Sequence, residues 1–220
     1  MKRLLMAIVL LGMAGTAWAQ ASSITQQPVS GDSPRIVVGA VGGVTLGNVT
    51  SGTFGGEVGF KVGDSLEVFA EAGYMMDVTS SATAASAAEI GNWLGSLGQG
   101  EASWTVESPT FYGAGGVRYL FGTGGSVEPY VAVTMGLANV ERKTTYALNG
   151  TDVTGSLPSL GVQLGEDLDG KTNSFLLTAG GGVRVPLGAI LLDLGARYGR
   201  IFTDPGTDTF RLYAGAGFRF

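Results

Sequence analysis

Residues 209–220 read TFRLYAGAGFRF, and their alternation decides the fold. Phe210, Leu212, Ala214, Ala216, Phe218 and Phe220 share one parity, while Arg211, Tyr213, Gly215, Gly217 and Arg219 share the other. Successive side chains of an extended strand point to opposite faces. This segment therefore has one greasy face and one charged or small face. The preceding segment, 190–203, repeats the pattern, with Ile190, Leu192, Leu194, Ala196, Tyr198 and Phe202 set against Asp193, Gly195, Arg197 and Gly199. In 174–187, Phe175, Leu177, Ala179, Val183 and Val185 oppose Thr178, Gly180, Gly182 and Arg184. In 66–77, Leu66, Val68, Ala70, Ala72, Tyr74 and Met76 oppose Glu67, Phe69, Glu71 and Gly73.

Eight such strands are expected, over 35–47, 53–62, 66–77, 110–121, 128–140, 174–187, 190–203 and 209–220. Three connections are tight, at 63–65, 122–127 and 188–189. Two others, 78–109 and 141–173, run to roughly 30 residues, where 2–6 is usual. An up-and-down meander places all tight turns at one end and all long loops at the other. A transmembrane β-barrel has that asymmetry.

Composition points the same way. Of 220 residues 38 are Gly, and charged residues make up 14%, against roughly 25% in a soluble domain. There is no Cys and no His, which removes disulfides, thiolate chemistry, imidazole metal sites and the Ser-His-Asp triad. The N-terminus reads as an export signal over 1–19: Lys2 and Arg3, an apolar run from Leu4 to Ala14, then Ala17-Trp18-Ala19 as the cleavage site. Residues 20–34, rich in Ser, Gln, Gly and Pro, read as a flexible periplasmic leader, and 35–220 as the barrel domain. Removing Lys2 and Arg3 from the 13 basic residues leaves 11 against 18 acidic ones. A mature charge of about −7 argues against nucleic acid as a partner. No uncharged apolar stretch reaches the ~20 residues of a membrane-spanning helix.

Aromatic residues of the apolar face gather at strand ends. Phe54, Tyr74, Phe111, Phe175, Phe202 and Phe210 fall at the long-loop edge, and Phe60, Tyr119, Phe121, Phe218 and Phe220 at the tight-turn edge. Two such girdles mark the two faces of a bilayer. The all-β fold class expected is thus an eight-stranded antiparallel up-and-down barrel whose outside meets lipid.

On these segments the chain resembles the small eight-stranded outer-membrane barrels, typified by OmpX and the transmembrane domain of OmpA. The resemblance spans 35–220. Its most specific element is Tyr213-Ala-Gly-Ala-Gly-Phe-Arg-Phe220, which is similar to the C-terminal signal read by barrel-assembly machinery, carried here by Tyr213, Gly215, Phe218 and Phe220. Tyr112-Gly-Ala-Gly-Gly-Val-Arg-Tyr119 and Glu128-Pro-Tyr-Val-Ala-Val133 are also similar to strands of this group. The resemblance implies a bacterial outer-membrane location, periplasmic termini, extracellular long loops, and lipid and lipopolysaccharide as surroundings. The chain stops at Phe220, so tethering to peptidoglycan through a following domain is not carried over. Enzymes of this general type use a histidine, which this sequence lacks.

Eight strands enclose an interior just wide enough for side chains to fill. The inward parity supplies an expected charge network of Glu57, Lys61, Glu67, Glu71, Arg118, Arg184, Asp193, Arg197, Arg211 and Arg219. A type II′ turn at Gly188-Ala189 pairs Leu187 with Ile190 and so Arg184 with Asp193. If Thr203 closes on Thr209, Asp193 also faces Arg219, clamping one carboxylate between two guanidiniums. Pairing Val62 with Leu66 sets Lys61 against Glu67 and Glu57 against Glu71. Like charges directly opposite destabilise a sheet, so the second pair needs a cation from Arg197, Arg211 or Arg118. Paired carboxylates also suit acid–base catalysis, but a plug of opposing charges accounts for them without chemistry. The inward Gly55, Gly59, Gly116, Gly180 and Gly217 relieve curvature and make room for long side chains.

In the first long loop Ile90, Trp93, Leu94 and Leu97 have the spacing of a short amphipathic helix, interrupted by Gly91 and Gly95. It is expected over the barrel mouth or on the lipid interface, an adhesive apolar patch being the other reading. In the second, Asp152, Glu166, Asp167 and Asp169 form an acidic loop; Asp167-Leu-Asp169-Gly170 lacks complete calcium-loop spacing, and weak divalent-cation binding is the minor reading. No cofactor or catalytic residue is expected. Two functions remain: a non-enzymatic plugged barrel offering its loops for adhesion or ligand contact, and a narrow passive channel for small solutes or ions. Barrel closure makes a monomer sufficient.

Overall fold

The computed structural model describes residues 36–97, 100–122 and 124–220. The expected export signal and leader lie outside them. Strands run in the order β1 (Ile36–Leu46), β2 (Ser51–Lys61), β3 (Leu66–Met75), helix α1 (Ser81–Ser96), β4 (Ala102–Glu107), β5 (Thr110–Leu120), β6 (Glu128–Leu148), β7 (Thr151–Asp152), β8 (Gly170–Leu187), β9 (Ile190–Ile201) and β10 (Thr207–Arg219), with a 3₁₀ helix at Thr154–Leu160.

Eight of these strands close a barrel, every pair antiparallel: β1–β2–β3–β5–β6–β8–β9–β10, and β10 back to β1. The seam is finished by Phe220, whose N–H donates to Ile36 O at 2.9 Å while Ile36 N–H donates to Phe220 O at 3.2 Å. Closure leaves no strand edge unpaired in the wall, which is what hydrocarbon requires.

Thirty-five large hydrophobic side chains are exposed among the described residues, far beyond the scattered few that a water-soluble surface carries. Most lie on the outer face of the strands, Val58, Phe60, Val68, Val117, Val131, Met135, Leu192 and Leu212 among them. The expected girdle residues sit on that face as well. Phe54 packs at a tilt against Tyr74 with ring centroids 5.6 Å apart, Phe175 likewise against Phe202 at 5.7 Å, and Tyr119 meets Phe121 edge-to-face at 5.1 Å. The barrel is transmembrane in architecture, its apolar face turned outward and its charged face inward.

Register follows the tight turns. Val62 N–H donates to Leu66 O, setting Lys61 opposite Glu67 and Glu57 opposite Glu71. Gly188 takes the left-handed φ of +67° that a II′ turn needs, and Leu187 pairs with Ile190. The β9–β10 register corrects an expectation. Ile201 pairs with Thr207, so Asp193 faces Gly215 and not Arg219. The connection, 202–206, is as long as closure of Thr203 on Thr209 would imply but sits two residues earlier in the chain, which moves the partner of Asp193 by four residues.

The long connections are also more ordered than unstructured loops. Strand β6 continues past the lipid-facing region to Leu148, β8 begins at Gly170, and β4 and β7 add to the β6 extension. Alternation persists here, with Arg142, Thr144 and Tyr146 inward. The outward residues are Glu141, Lys143 and Thr145, which are polar, so no greasy stripe advertises the strand. Helix α1 begins at Ser80, whose Oγ accepts from Thr83 N–H. Its buried positions are Thr83, Ala87, Gly91 and Leu94. Trp93 and Leu97 are exposed, so the buried stripe differs from the expected one. It is built of small residues because Gly91 lies against the Trp104 ring, where an added Cβ would come within 2.0 Å of the ring.

Candidate functional site: the lumen and the platform above it

The inner face of β2, β3, β5, β8, β9 and β10 brings four carboxylates and four guanidiniums together. Arg118, wholly buried, donates from Nη2 to Glu57 Oε2 at 2.8 Å, from Nη1 to Glu57 Oε1 at 3.1 Å, and to Glu67. Arg184 donates to Glu57 Oε1 and Glu67 Oε2, both at 2.7 Å, and from Nε to Asp193 Oδ2 at 3.1 Å. Arg197 pairs with Glu71 and lies 3.8 Å from Glu57 Oε2, so it is the cation that relieves the Glu57–Glu71 juxtaposition. Arg211 Nη2 lies 3.7 Å from Glu71 Oε1. Removing such ions from water is costly unless each is matched and hydrogen-bonded; here the formal charges of the eight groups cancel.

Two residues of the expected network stand apart. Lys61 is half-buried at the rim, and the Glu67 carboxylate opposite it accepts from Arg118 and Arg184 instead. Arg219 lies at the tight-turn rim with Nε donating to Gly188 O at 2.7 Å. The clamp on Asp193 is therefore Arg184 plus a phenol: Tyr130 OH donates to Asp193 Oδ1 at 2.6 Å.

Three tyrosines complete the network. Tyr130 and Tyr213 share a hydrogen bond at 2.7 Å, Arg197 Nε donates to Tyr213 OH at 3.2 Å, and Arg211 bonds the Tyr112 hydroxyl. The guanidiniums also stack on rings: Arg118 is 4.3 Å from the Phe69 centroid and 4.8 Å from that of Tyr130. The sequence reading did not single out Tyr112 and Tyr130, although they share the inward parity of Arg118 and Thr134 on their own strands; their roles depend on partners two or more strands away. Glycine makes the space, since a Cβ on Gly195 would lie 2.4 Å from Tyr213 OH. Of the four residues of the expected assembly signal, Tyr213 and Gly215 face the lumen, and Phe218 and Phe220 face outward.

Above the charges lies an apolar layer that sequence reading missed: Met75, Val78, Tyr112, Ala138, Val140, Leu176 and Ile201, all buried together. The void among Glu57, Glu71, Tyr112, Arg197, Arg211 and Tyr213 measures about 10 Å³, no more than one water's room.

Beyond the long-loop girdle the outer surface changes abruptly. Asn139 donates to Asn173 at 2.8 Å, and Glu141 pairs with Lys143 at 2.9 Å and Lys171 at 3.2 Å. Those two lysines, by hydrogen bonding, hold the Glu141 carboxyl below its ordinary range, and Glu141 in return raises Lys143. Within the platform, Leu94, Tyr146 and Leu157 form a small core, flanked by Ile90, Trp104, Leu148 and Leu164. Tyr146 OH donates to Ala87 O at 3.3 Å, and burial pushes its pKa up to about 12. Hydrogen bonds from Thr154 lower Asp152. Among the described residues no three carboxylates converge to hold a metal ion, so the acidic loop is not gathered into a cation site.

No protein-family model matches the chain, and no curated sequence relative does. Solved structures do. Neisserial surface protein A is 14% identical, aligned over 84% of this chain and 96% of its own, with a TM-score of 0.52. The N-terminal β-barrel domain of Pseudomonas aeruginosa OprF (16% identity, 86% and 100% coverage, TM-score 0.47) and the attachment invasion locus protein Ail of Yersinia pestis (10%, 84% and 97%, 0.46) are also similar. With the closed eight-stranded wall, its inverted polarity and the likeness to the neisserial protein, the chain has the fold of the small outer-membrane β-barrels.

Proposed function

We propose that this is a non-enzymatic outer-membrane protein: a barrel plugged by its own side chains that contributes to envelope structure and presents its long-loop platform for adhesion or ligand contact outside the cell. The observation that carries this reading is the two-tier closure of the lumen, matched ions below and the Met75–Leu176–Ile201 layer above. The eight charged groups are spent on one another, which accounts for them without a reaction.

In this reading residues 1–19 are removed on export, 20–34 form a periplasmic leader, and 35–220 insert as a monomer through barrel-assembly machinery into lipid and lipopolysaccharide. The termini face the periplasm, and α1, β4 and β7 face outward. Planar-bilayer recording tests it. The purified barrel should leave the membrane silent at low voltage, whereas reproducible openings that change on Arg197→Ala would replace the plug with a narrow channel.

A further inference from the structure

The lipid-facing wall carries a ridge beside a hollow. On β6, Leu137 and Met135 are 64% and 60% exposed, more than any other non-aromatic hydrophobic among the described residues. Directly across the register on β5 stand Gly113 and Gly115, and beyond them on β3 Ala72 and Ala70. This floor of nearly bare backbone opens outward as two joined hollows of about 520 and 690 Å³, which share Ala70 and Gly115. Leu137 borders the first and Met135 the second.

The barrel's own packing does not require these two glycines. Inward ones make room: a Cβ on Gly116 would come within 2.2 Å of Val133 O, and one on Gly180 within 2.2 Å of Ala196 O. A Cβ on Gly113 would meet nothing within 4 Å, and one on Gly115 only Phe69 O at 3.8 Å. Glycine inside a strand costs conformational entropy and packs nothing. Where no neighbour within the chain demands it, it marks the close approach of a ligand or of another backbone. In lipid, apolar burial supplies no drive for association, and small residues let two spanning elements come close enough to pack, as they do between membrane helices.

Charge indicates which body approaches. Above the ridge, on the same outer face, Glu141 pairs with Lys143 and Lys171, and Glu107 lies opposite Lys143 in the β4–β6 ladder. Two acids and two bases cancel. The chain as a whole is acidic, with a formal charge of −5, so two copies repel over most approaches but not over this one. Across it the lysines of one copy can meet the acids of the other.

We propose that a second copy of this chain covers the hollow, as a two-fold dimer in the plane of the membrane. An axis along the membrane normal, passing between β5 and β6, sets Leu137 and Met135 of each copy over the partner's Gly113 and Gly115 at the same depth. Ridge fills hollow twice, the isologous contact of a closed dimer. Chains inserted singly then pair laterally, and their platforms stand side by side. The pairing goes beyond the reading of the barrel as a plug and is separable from it, since the lumen takes no part and a silent bilayer is expected with or without the dimer.

The chain has no cysteine, so single introduced thiols and a short bis-maleimide read the pairing in isolated membranes. Asn139→Cys, in the rim of the first hollow, should give a band at twice the monomer mass. Asn48→Cys, exposed after β1 on a distant part of the wall, should stay single. Adding Gly113→Leu to Asn139→Cys fills the hollow and should lower the dimer band by about fivefold or more. The barrel accommodates that side chain, whose Cβ meets open space, and retained heat-dependent gel mobility checks this. Gly42→Leu, at an outward glycine of β1 with no neighbouring atom closer than 4.0 Å, should leave the band unchanged. Equal cross-linking of Asn139→Cys and Asn48→Cys, none from Asn139→Cys, or a band indifferent to Gly113→Leu would overturn the dimer and leave the hollow to lipid acyl chains.

Discussion

Glu57 and Arg118, 61 residues apart in the chain, meet through two parallel contacts, Nη2 to Oε2 at 2.8 Å and Nη1 to Oε1 at 3.1 Å. Glu57 also receives Arg184 at 2.7 Å and has Arg197 at 3.8 Å. One carboxylate thus joins the walls β2, β5, β8 and β9 across the lumen. Glu57→Ala strands guanidinium charge in a buried site and should destabilise the barrel by about 3–5 kcal/mol. Lys61→Ala, at the half-buried rim, should change stability by about 0.5 kcal/mol or less. Urea unfolding of the two variants in micelles separates them, and equal losses would refute the hub.

Gly91 determines how closely α1 approaches β4. Gly91→Leu forces the Trp104 ring away, since even a Cβ would come within 2.0 Å of it. The platform should then lose its packing while the barrel stays closed. Limited proteolysis should cut the variant between residues 81 and 107 and leave the heat-dependent gel mobility of the barrel unchanged.

Tyr146 makes the platform sensitive to alkali. Its folded pKa lies at about 12 and an exposed tyrosine's near 10. The unfolded platform therefore releases this proton first, and stability that is complete below about pH 10 declines as pH rises toward 12. Hydrogen exchange in α1 should accelerate over that window, and Tyr146→Phe should remove the part of the pH dependence that belongs to this phenol.

Deleting Phe220 removes both backbone hydrogen bonds to Ile36 at the seam together with the terminal aromatic of the expected assembly signal. Outer-membrane yield should fall well below wild type. Normal yield would place the signal elsewhere.

Much of this architecture is legible in the sequence because its determinants are local. Parity alone separates Arg118 from Tyr119 and Asp193 from Leu194, and two-residue geometry at Gly188-Ala189 fixes Arg184 opposite Asp193. What escaped depends on distance or on a missing contrast. The position of Arg219 turns on a register four residues away from the expected one, decided by how 202–206 fold. The β6 extension hid because polar residues on both faces erase the alternation signal. The Glu57 hub was legible only as a problem, two acids side by side; which arginine answers it depends on the barrel's curvature.

Strand β6 is 21 residues long, about 70 Å of chain at ~3.4 Å per residue, where roughly 9–11 residues suffice to cross a bilayer. The same unbroken ladder is both wall and mast. No hinge divides the part anchored in hydrocarbon from the part that carries Tyr146. If the platform faces outward as proposed, an approaching surface meets α1 at a height and tilt dictated by the bilayer itself.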